Sequence, residues 1–405
     1  MTVKPNQLLI FKLYAFKLYL LLIAIFITGC SSRQLLDPTD SLSRLKNGGS
    51  LQHEVNLLVK PLIKNRDNIG AVVAVLDSKN TVSIFPFGNK NAGENVPMTV
   101  NTLFGIGSTT KSLVVSLMLA LDAEGIISIN DTISEFLPSQ MLLKDPHIRD
   151  ITFAQLASHT SGLPREPLSL DTLASLLGYF FTGNNLYSHL TKETVYDFLA
   201  NYELKKKKEG SPSYSNIGIG LLAHFLTLKT NRDLESLLSK YIFSPLQMKH
   251  TVVQLKNDDI KRLATGYAGD QPLFIPWNTP LDNWKFSSIM LGTGGVYSTA
   301  PDLINYLKAH MGKSNTKLDI ILQKSHIIVG KDREHYLTMG WYVEYLPKYG
   351  LNFYFYHGMI AGFNCYIGFE PTTKTAVVVL RNNFNWHDVV GHNLLLRLSL
   401  YNQQK

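Results

Sequence analysis

The placement of strand-forming segments constrains this chain most. Two lie early, at residues 71–76 and 81–87, and the polar link Asp77-Ser78-Lys79-Asn80 joins them as a hairpin. Four more follow Gly340, at 341–345, 353–356, 364–369 and 375–380, with Pro347, Gly350 and Pro371 as breakers between them. Residues 150–260 read as helix and loop. Strands at both ends of a helical middle predict an α+β fold: one antiparallel sheet built from both chain ends, with flanking helices and an inserted, mostly helical region. Helices are expected at 51–64, from 109 to 123 with Gly125 just beyond, and at 389–401. A ligand site belongs at the seam between sheet and insertion.

The first fifty residues stand apart. Lys4, Lys12 and Lys17 precede the uncharged run 18–28, which is short for a bilayer span and about right for a secretory signal core. The run ends in Ile27-Thr28-Gly29-Cys30, which resembles a bacterial lipobox. Residues 1–29 are therefore expected to be a lipoprotein signal peptide, with Cys30 lipidated as the new N-terminus. Residues 30–50, polar and ending in Asn47-Gly48-Gly49-Ser50, read as a tether, and 51–405 as the functional domain. The expectation is an exported bacterial lipoprotein, membrane-anchored and facing the periplasm. Ser31, where an Asp would mark inner-membrane retention, points to the outer membrane in a Gram-negative host. Cys365 is the one other cysteine, so with Cys30 lipidated no disulfide forms within the chain.

With 45% hydrophobic and 17% charged residues the composition is globular. The net charge of +8 is spread along the chain, densest at 205–208. No zinc-finger, RNP-like or helix-turn-helix pattern accompanies it, so nucleic acid is not an expected partner. Oligomeric state is not legible.

Chemistry concentrates at Ser108-Thr109-Thr110-Lys111. At i and i+3 on a helix the two side chains share a face, and a desolvated lysine can take the proton of a serine nucleophile. The pattern S-x-x-K also occurs at Ser43 with Lys46 and at Ser314 with Lys317. Only Ser108 lies between a glycine-bearing turn, Phe104-Gly105-Ile106-Gly107, and a strongly apolar helix. The free N–H groups at that helix start suit an oxyanion.

Two further segments supply partners. Tyr214-Ser215-Asn216 is the one Y-x-N in the chain and follows the turn-rich Glu209-Gly210-Ser211-Pro212. A tyrosine hydroxyl can relay protons, and an asparagine amide can hold both a lysine and a substrate carbonyl. His357-Gly358-Met359 ends a strand, where glycine admits a substrate close to the backbone.

These segments, in this order, resemble the serine β-lactamase and penicillin-binding-protein family, in its class C and D-Ala-D-Ala carboxypeptidase and esterase branch. Leu156-Ala157-Ser158-His159-Thr160-Ser161-Gly162-Leu163 and the segment from Gly294 to Leu303 extend the likeness, which covers about residues 52–400. The resemblance implies a β-lactamase/transpeptidase-like fold and a serine hydrolase without metal or organic cofactor. Ser108 would be acylated, Lys111 and Tyr214 would move protons, and Asn216 would orient Lys111 and the substrate amide. The N–H groups of Ser108 and Met359 would form the oxyanion hole.

The third motif departs from the family. Relatives place five residues between its Lys or His and a following Gly-Phe, whereas four separate His357 from Gly362-Phe363. Anchoring on Gly362-Phe363 puts Tyr356 in the first place, His357 in the second and Gly358 in the third. A deletion instead would flip every later side chain of the strand, which favours this register. Either way the lysine that receives a penicillin carboxylate is absent, so an ester or D-amino-acid peptide is expected as donor and a β-lactam only weakly. The alternative is a non-catalytic protein of the same fold that binds penicillin or cell-wall peptides. Pocket shape is expected to follow the insertion 172–203 and the loop 268–284, with Phe274, Trp277 and Trp284 mainly packing.

Overall fold

The computed structural model describes residues 35–404 except 64–68, 92, 205–211, 333 and 385–388. The leader, Cys30, the basic run 205–208 and residues 209–211 lie outside the described residues. Among those described, no helix is long and apolar enough to cross a membrane.

A nine-stranded antiparallel sheet organises the molecule. It comprises β1 (Gly70–Leu76), β2 (Val82–Asn91), β3 (Val96–Pro97), β4 (Gly330–Lys331), β5 (Tyr336–Leu337), β6 (Tyr342–Leu346), β7 (Leu351–Ile360), β8 (Phe363–Glu370) and β9 (Thr375–Arg381), ordered β3-β2-β1-β9-β8-β7-β6-β5-β4. The join between chain ends is the β1–β9 pair, from Ala71 opposite Arg381 to Leu76 opposite Ala376. Both strands are buried along their whole length and read as continuous apolar runs, because both faces of the sheet are covered.

Period-two alternation splits the core in two. Ala71, Val73, Val75, Phe353 and Phe355 face the terminal helices α1 (Thr39–Lys46), α2 (Leu51–Ile63) and α8 (Val389–Gln403). Val72, Ala74, Leu76 and Tyr356 face α3 (Thr110–Ala123), α6 (Asn216–Thr230) and α7 (Ala300–His310). The insertion is helical as expected, with α4 (Leu170–Thr182) and α5 (Lys192–Asn201) capped by Ser169 and Thr191.

Part of the expected tether is structured. Residues 39–46 form α1, whose Arg44 Nε lies 2.6 Å from the carboxylate of the buried Glu54 on α2. Arg397 of α8 reaches the same carboxylate at 3.5 Å. Polarity misled there, because the polar side chains of α1 serve an ion cluster rather than solvent alone.

Candidate active site

Ser108 sits in a 3-10 turn, Gly107–Thr109, that runs directly into α3. The turn is pressed onto β7. Gly107 has φ +49°, and a side-chain carbon there would stand 2.7 Å from the backbone nitrogen of Met359. A Cβ on Gly358 would overlap the carbonyl oxygen of Ile106. Both glycines are required by this close approach of turn to strand.

One turn along α3, Lys111 is 1% exposed. Its Nζ lies 3.0 Å from Ser108 Oγ and donates to the carbonyl of Thr293 at 2.6 Å. Burial pulls the lysine below its ordinary pKa; Tyr214 opposes that shift, and the charge of Arg165 adds to it. Tyr214 OH donates to Ser108 Oγ at 2.8 Å. Burial alone would raise the phenol, but the cations Lys111 and Arg165 and the hydrogen bonds to Lys111 and Ser108 bring it below its usual range. Both groups therefore give up a proton more readily than they would in water.

The tyrosine is held from behind. His159 has φ +60°, and its ring lies 4.7 Å from that of Tyr214. Its Nδ1 accepts from Ser215 N at 3.1 Å, and its carbonyl accepts from Ser213 N at 2.7 Å. Burial, then Lys111 and Arg165, hold its pKa down to about 3. The ring is therefore neutral and serves as an acceptor that fixes the loop. Ser215 caps α6, its Oγ accepting from Gly218 N at 2.8 Å.

Asn216 departs in part from its expected role. Its Nδ2 donates to Glu166 Oε1 at 2.7 Å and to Tyr187 OH at 3.1 Å, and no hydrogen bond joins it to Lys111. The carbonyl of Thr293 takes that place on the lysine. Neither Glu166, Tyr187 nor Thr293 was legible as a site residue: Glu166 follows the Ser-His-Thr-Ser-Gly-Leu segment by three positions, and a backbone carbonyl leaves no mark in sequence.

On β7, Tyr356 lies two residues before Gly358 and shares the face that meets the Ser108 turn. Burial, followed by the neighbouring Tyr214, raises the pKa of its buried hydroxyl well above the ordinary value. His357, expected among the substrate-binding residues, is turned to the opposite face, with its ring 5.0 Å from Tyr366 and 6.3 Å from His392. Alternation along the strand excludes both from one face, and the register anchored on Gly362-Phe363 accounts for which is in. β6 stops pairing with β7 at Tyr342 opposite Phe355, so residues 356–360 have a strand partner only on the β8 side.

In the other S-x-x-K pairs serine and lysine do not converge in this way. Ser314 Oγ bonds Asp319, and Lys317 donates to Glu124 at 2.6 Å; Ser43 and Lys46 belong to α1. Of the loop aromatics, Trp284 packs edge-on to Tyr179 and Tyr187, at 5.5 and 5.6 Å. Phe274 and Trp277 are exposed, Phe274 stacking on Phe181 at 4.5 Å.

Comparison with known proteins agrees with this geometry. The family model described as Beta-lactamase matches residues 55–401. The D-alanyl-D-alanine-carboxypeptidase/endopeptidase AmpH of Escherichia coli K12 is 25% identical over 294 residues, 69% of this chain and 70% of that protein. A beta-lactamase of Providencia stuartii is 27% identical over 263 residues, 64% of this chain and 60% of its own length. A class C beta-lactamase from Rhodobacter sphaeroides superposes with a TM-score of 0.70 at 21% identity, covering 87% of this chain and 99% of that one. The D-alanine carboxypeptidase AmpC from Burkholderia cenocepacia gives 0.70 at 20% identity, over 86% and 98%. The family match spans the sheet, the Ser108 turn and the Tyr214 loop together, and the chain belongs to the beta-lactamase family.

Proposed function

We propose that the protein is a serine hydrolase that works through a Ser108 acyl-enzyme. The observation that carries this is the convergence on Ser108 Oγ of Lys111 Nζ at 3.0 Å and Tyr214 OH at 2.8 Å. Ser108 Oγ attacks the donor carbonyl and its proton passes to the Lys111–Tyr214 pair. The carbonyl oxygen, now negative, accepts from the N–H groups of Ser108 and Met359. Tyr214 returns the proton to the leaving group as the acyl–leaving-group bond breaks. Water then attacks the ester, the same pair takes its proton, and Ser108 is released with the acid. Side chains carry the proton transfers and two backbone N–H groups carry the oxyanion. Asn216, held by Glu166 and Tyr187, presents its amide oxygen to the donor.

The donor we propose is an ester or a D-amino-acid peptide, with β-lactams turned over weakly. Tyr356, a neutral phenol, stands where a lysine would bind a β-lactam carboxylate. We further propose that the enzyme is lipidated at Cys30 and held at the membrane, facing the periplasm. A panel of p-nitrophenyl butyrate, N-acyl-D-alanyl-D-alanine and nitrocefin tests the donor reading. Turnover of the ester or peptide is expected to exceed that of nitrocefin by at least ~100-fold in kcat/KM, about the loss of one charge-assisted contact and its geometry. Nitrocefin as the best donor contradicts the reading.

A further inference from the structure

The open edge of the sheet carries a cavity that the acyl-transfer chemistry does not use. It measures about 720 Å³ and is lined by Lys331, Glu334, Tyr336, Tyr345, Pro347 and Leu351 among others. It lies between the tip of the β4–β5 hairpin and the turn Pro347–Tyr349 that joins β6 to β7. β5 pairs with β6 at Tyr342 and Val343, while β6 continues along β7 to Leu346, and the cavity fills the step between them. Leu351 and Met359 are eight residues apart on β7, roughly 26 Å, so the cavity stands well away from the Ser108 turn.

The rim combines aromatic rings with charge. Lys331 Nζ lies 4.9 Å from the centroid of the Tyr336 ring, and Tyr336 meets Tyr345 edge to face at 4.8 Å. Tyr345 is 42% exposed. The Asp332 carboxylate is engaged with its own turn, accepting from the N–H groups of Glu334 and His335 at 2.8 and 2.7 Å. Glu344 lies 2.9 Å from His392 Nε2. The exposed Lys331 and Glu334 thus present one cation and one anion at the mouth.

The described residues begin beside this edge. Leu36 N donates to Asn393 Oδ1 at 2.6 Å. Asp37 is held below its ordinary pKa mainly by hydrogen bonds from Thr39, and Lys348, in the turn that closes the cavity, is near enough to add to the shift. Five links separate Cys30 from Leu35, an extended reach of roughly 17 Å. A lipid on Cys30 therefore keeps the start of the domain close to a bilayer. Tyrosine and lysine suit that surface, the ring lying in the interface and the ammonium among the headgroups.

We propose that this edge rests on the bilayer and that the cavity takes the headgroup of a zwitterionic aminophospholipid, its phosphate on Lys331 and its ammonium at Glu334. The inference rests on lipidation of Cys30 for the placement of the edge. It sets the catalytic turn at the far end of β7 from the membrane contact.

Hydrogen exchange read by mass spectrometry tests this. Full-length protein purified from membranes is placed in maltoside micelles, or in phosphatidylcholine vesicles with an equal share of phosphatidylethanolamine or of phosphatidylglycerol. Peptides covering 331–336 and 343–352 are expected to exchange about fivefold more slowly with phosphatidylethanolamine than in micelles, the worth of one lysine at a membrane surface. Peptides from α3 and α4 should not change. Lys331→Glu is expected to abolish the slowing while its micelle exchange elsewhere matches wild type, which shows that the variant is folded. No slowing, slowing that survives Lys331→Glu, or slowing as large with phosphatidylglycerol overturns the proposal. The mass of the N-terminal peptide reads the anchor separately. Slowed exchange with an unmodified Cys30 would uphold the headgroup site and remove the anchor, whereas a lipidated Cys30 without slowing overturns the site alone.

Discussion

Tyr214 OH lies 2.8 Å from Ser108 Oγ, and the His159 ring behind it holds the tyrosine at that distance. This contact, with the buried Lys111 on the other side of the oxygen, makes the serine more than a helix cap. Tyr214→Phe is expected to lower kcat/KM for p-nitrophenyl butyrate by about 10²–10⁴-fold, the range for loss of a positioned proton-transfer group. Lys111→Ala should cost at least as much, since it also strands the Thr293 carbonyl. Steady-state kinetics on both variants checks this; a loss under threefold in both would remove the pair from the mechanism.

Stability against pH follows from the buried histidines. His159 is held down to about 3, and His224 and His326 each to about 4, in every case mainly by burial. Their ordinary value is 6.5, so between pH 6.5 and about 4 the unfolded chain binds protons that the folded one refuses. Stability must therefore rise with pH across that window, being fully present above 6.5 and lost as pH falls. Urea midpoints at pH 7.5 and 4.5 should differ in that direction. His326→Phe, which removes one of these groups along with its 3.1 Å contact to the buried His310, should flatten the slope; an unchanged slope would assign the effect elsewhere.

The contact between turn and strand fixes the position of Ser108. Gly358→Ala puts a methyl into the Ile106 carbonyl and beside Thr109 Oγ1, 2.9 Å away. Overpacking of this kind costs about 1–3 kcal/mol. Thermal unfolding should show a lower Tm, and activity should fall further than the Tm alone explains, because Ser108 shifts with the turn. Activity retained at a lowered Tm would show that the turn does not position Ser108.

On the proposed donor reading, Tyr356 is the residue that disfavours a β-lactam. Tyr356→Lys places an ammonium on the Ser108 face of β7 and is expected to raise kcat/KM for nitrocefin at least ~10-fold relative to p-nitrophenyl butyrate, the worth of a charged hydrogen bond. The ratio of the two rates is the readout, which removes any general loss from the substitution. An unchanged ratio would mean that the missing lysine is not what limits β-lactams.

Much of this was legible in the residues. The apolar runs that became β1, β7, β8 and β9 were placed within a few residues, because strands covered on both faces cannot hide their hydrophobicity. Context separated Ser108 from Ser43 and Ser314, and the structure brings Lys111 and Tyr214 together on the oxygen of Ser108. The fixed Gly362-Phe363 chose Tyr356 over His357. What stayed hidden has physical reasons. Thr293 acts through a carbonyl, which every residue has. Tyr187 and Glu166 meet Asn216 only after the insertion has folded over it, across separations of 29 and 50 residues. The helix α1 was read as tether because its polar residues gave no hint that Glu54 was waiting for Arg44.

The most direct measurement is labelling of the purified wild-type protein with a fluorophosphonate, read by intact mass and by the modified peptide. A single adduct on Ser108, absent from Ser108→Ala and strongly slowed in Lys111→Ala and Tyr214→Phe, is the predicted result. No adduct on folded protein, or an adduct that persists in Ser108→Ala, would contradict the assignment of Ser108 as the nucleophile.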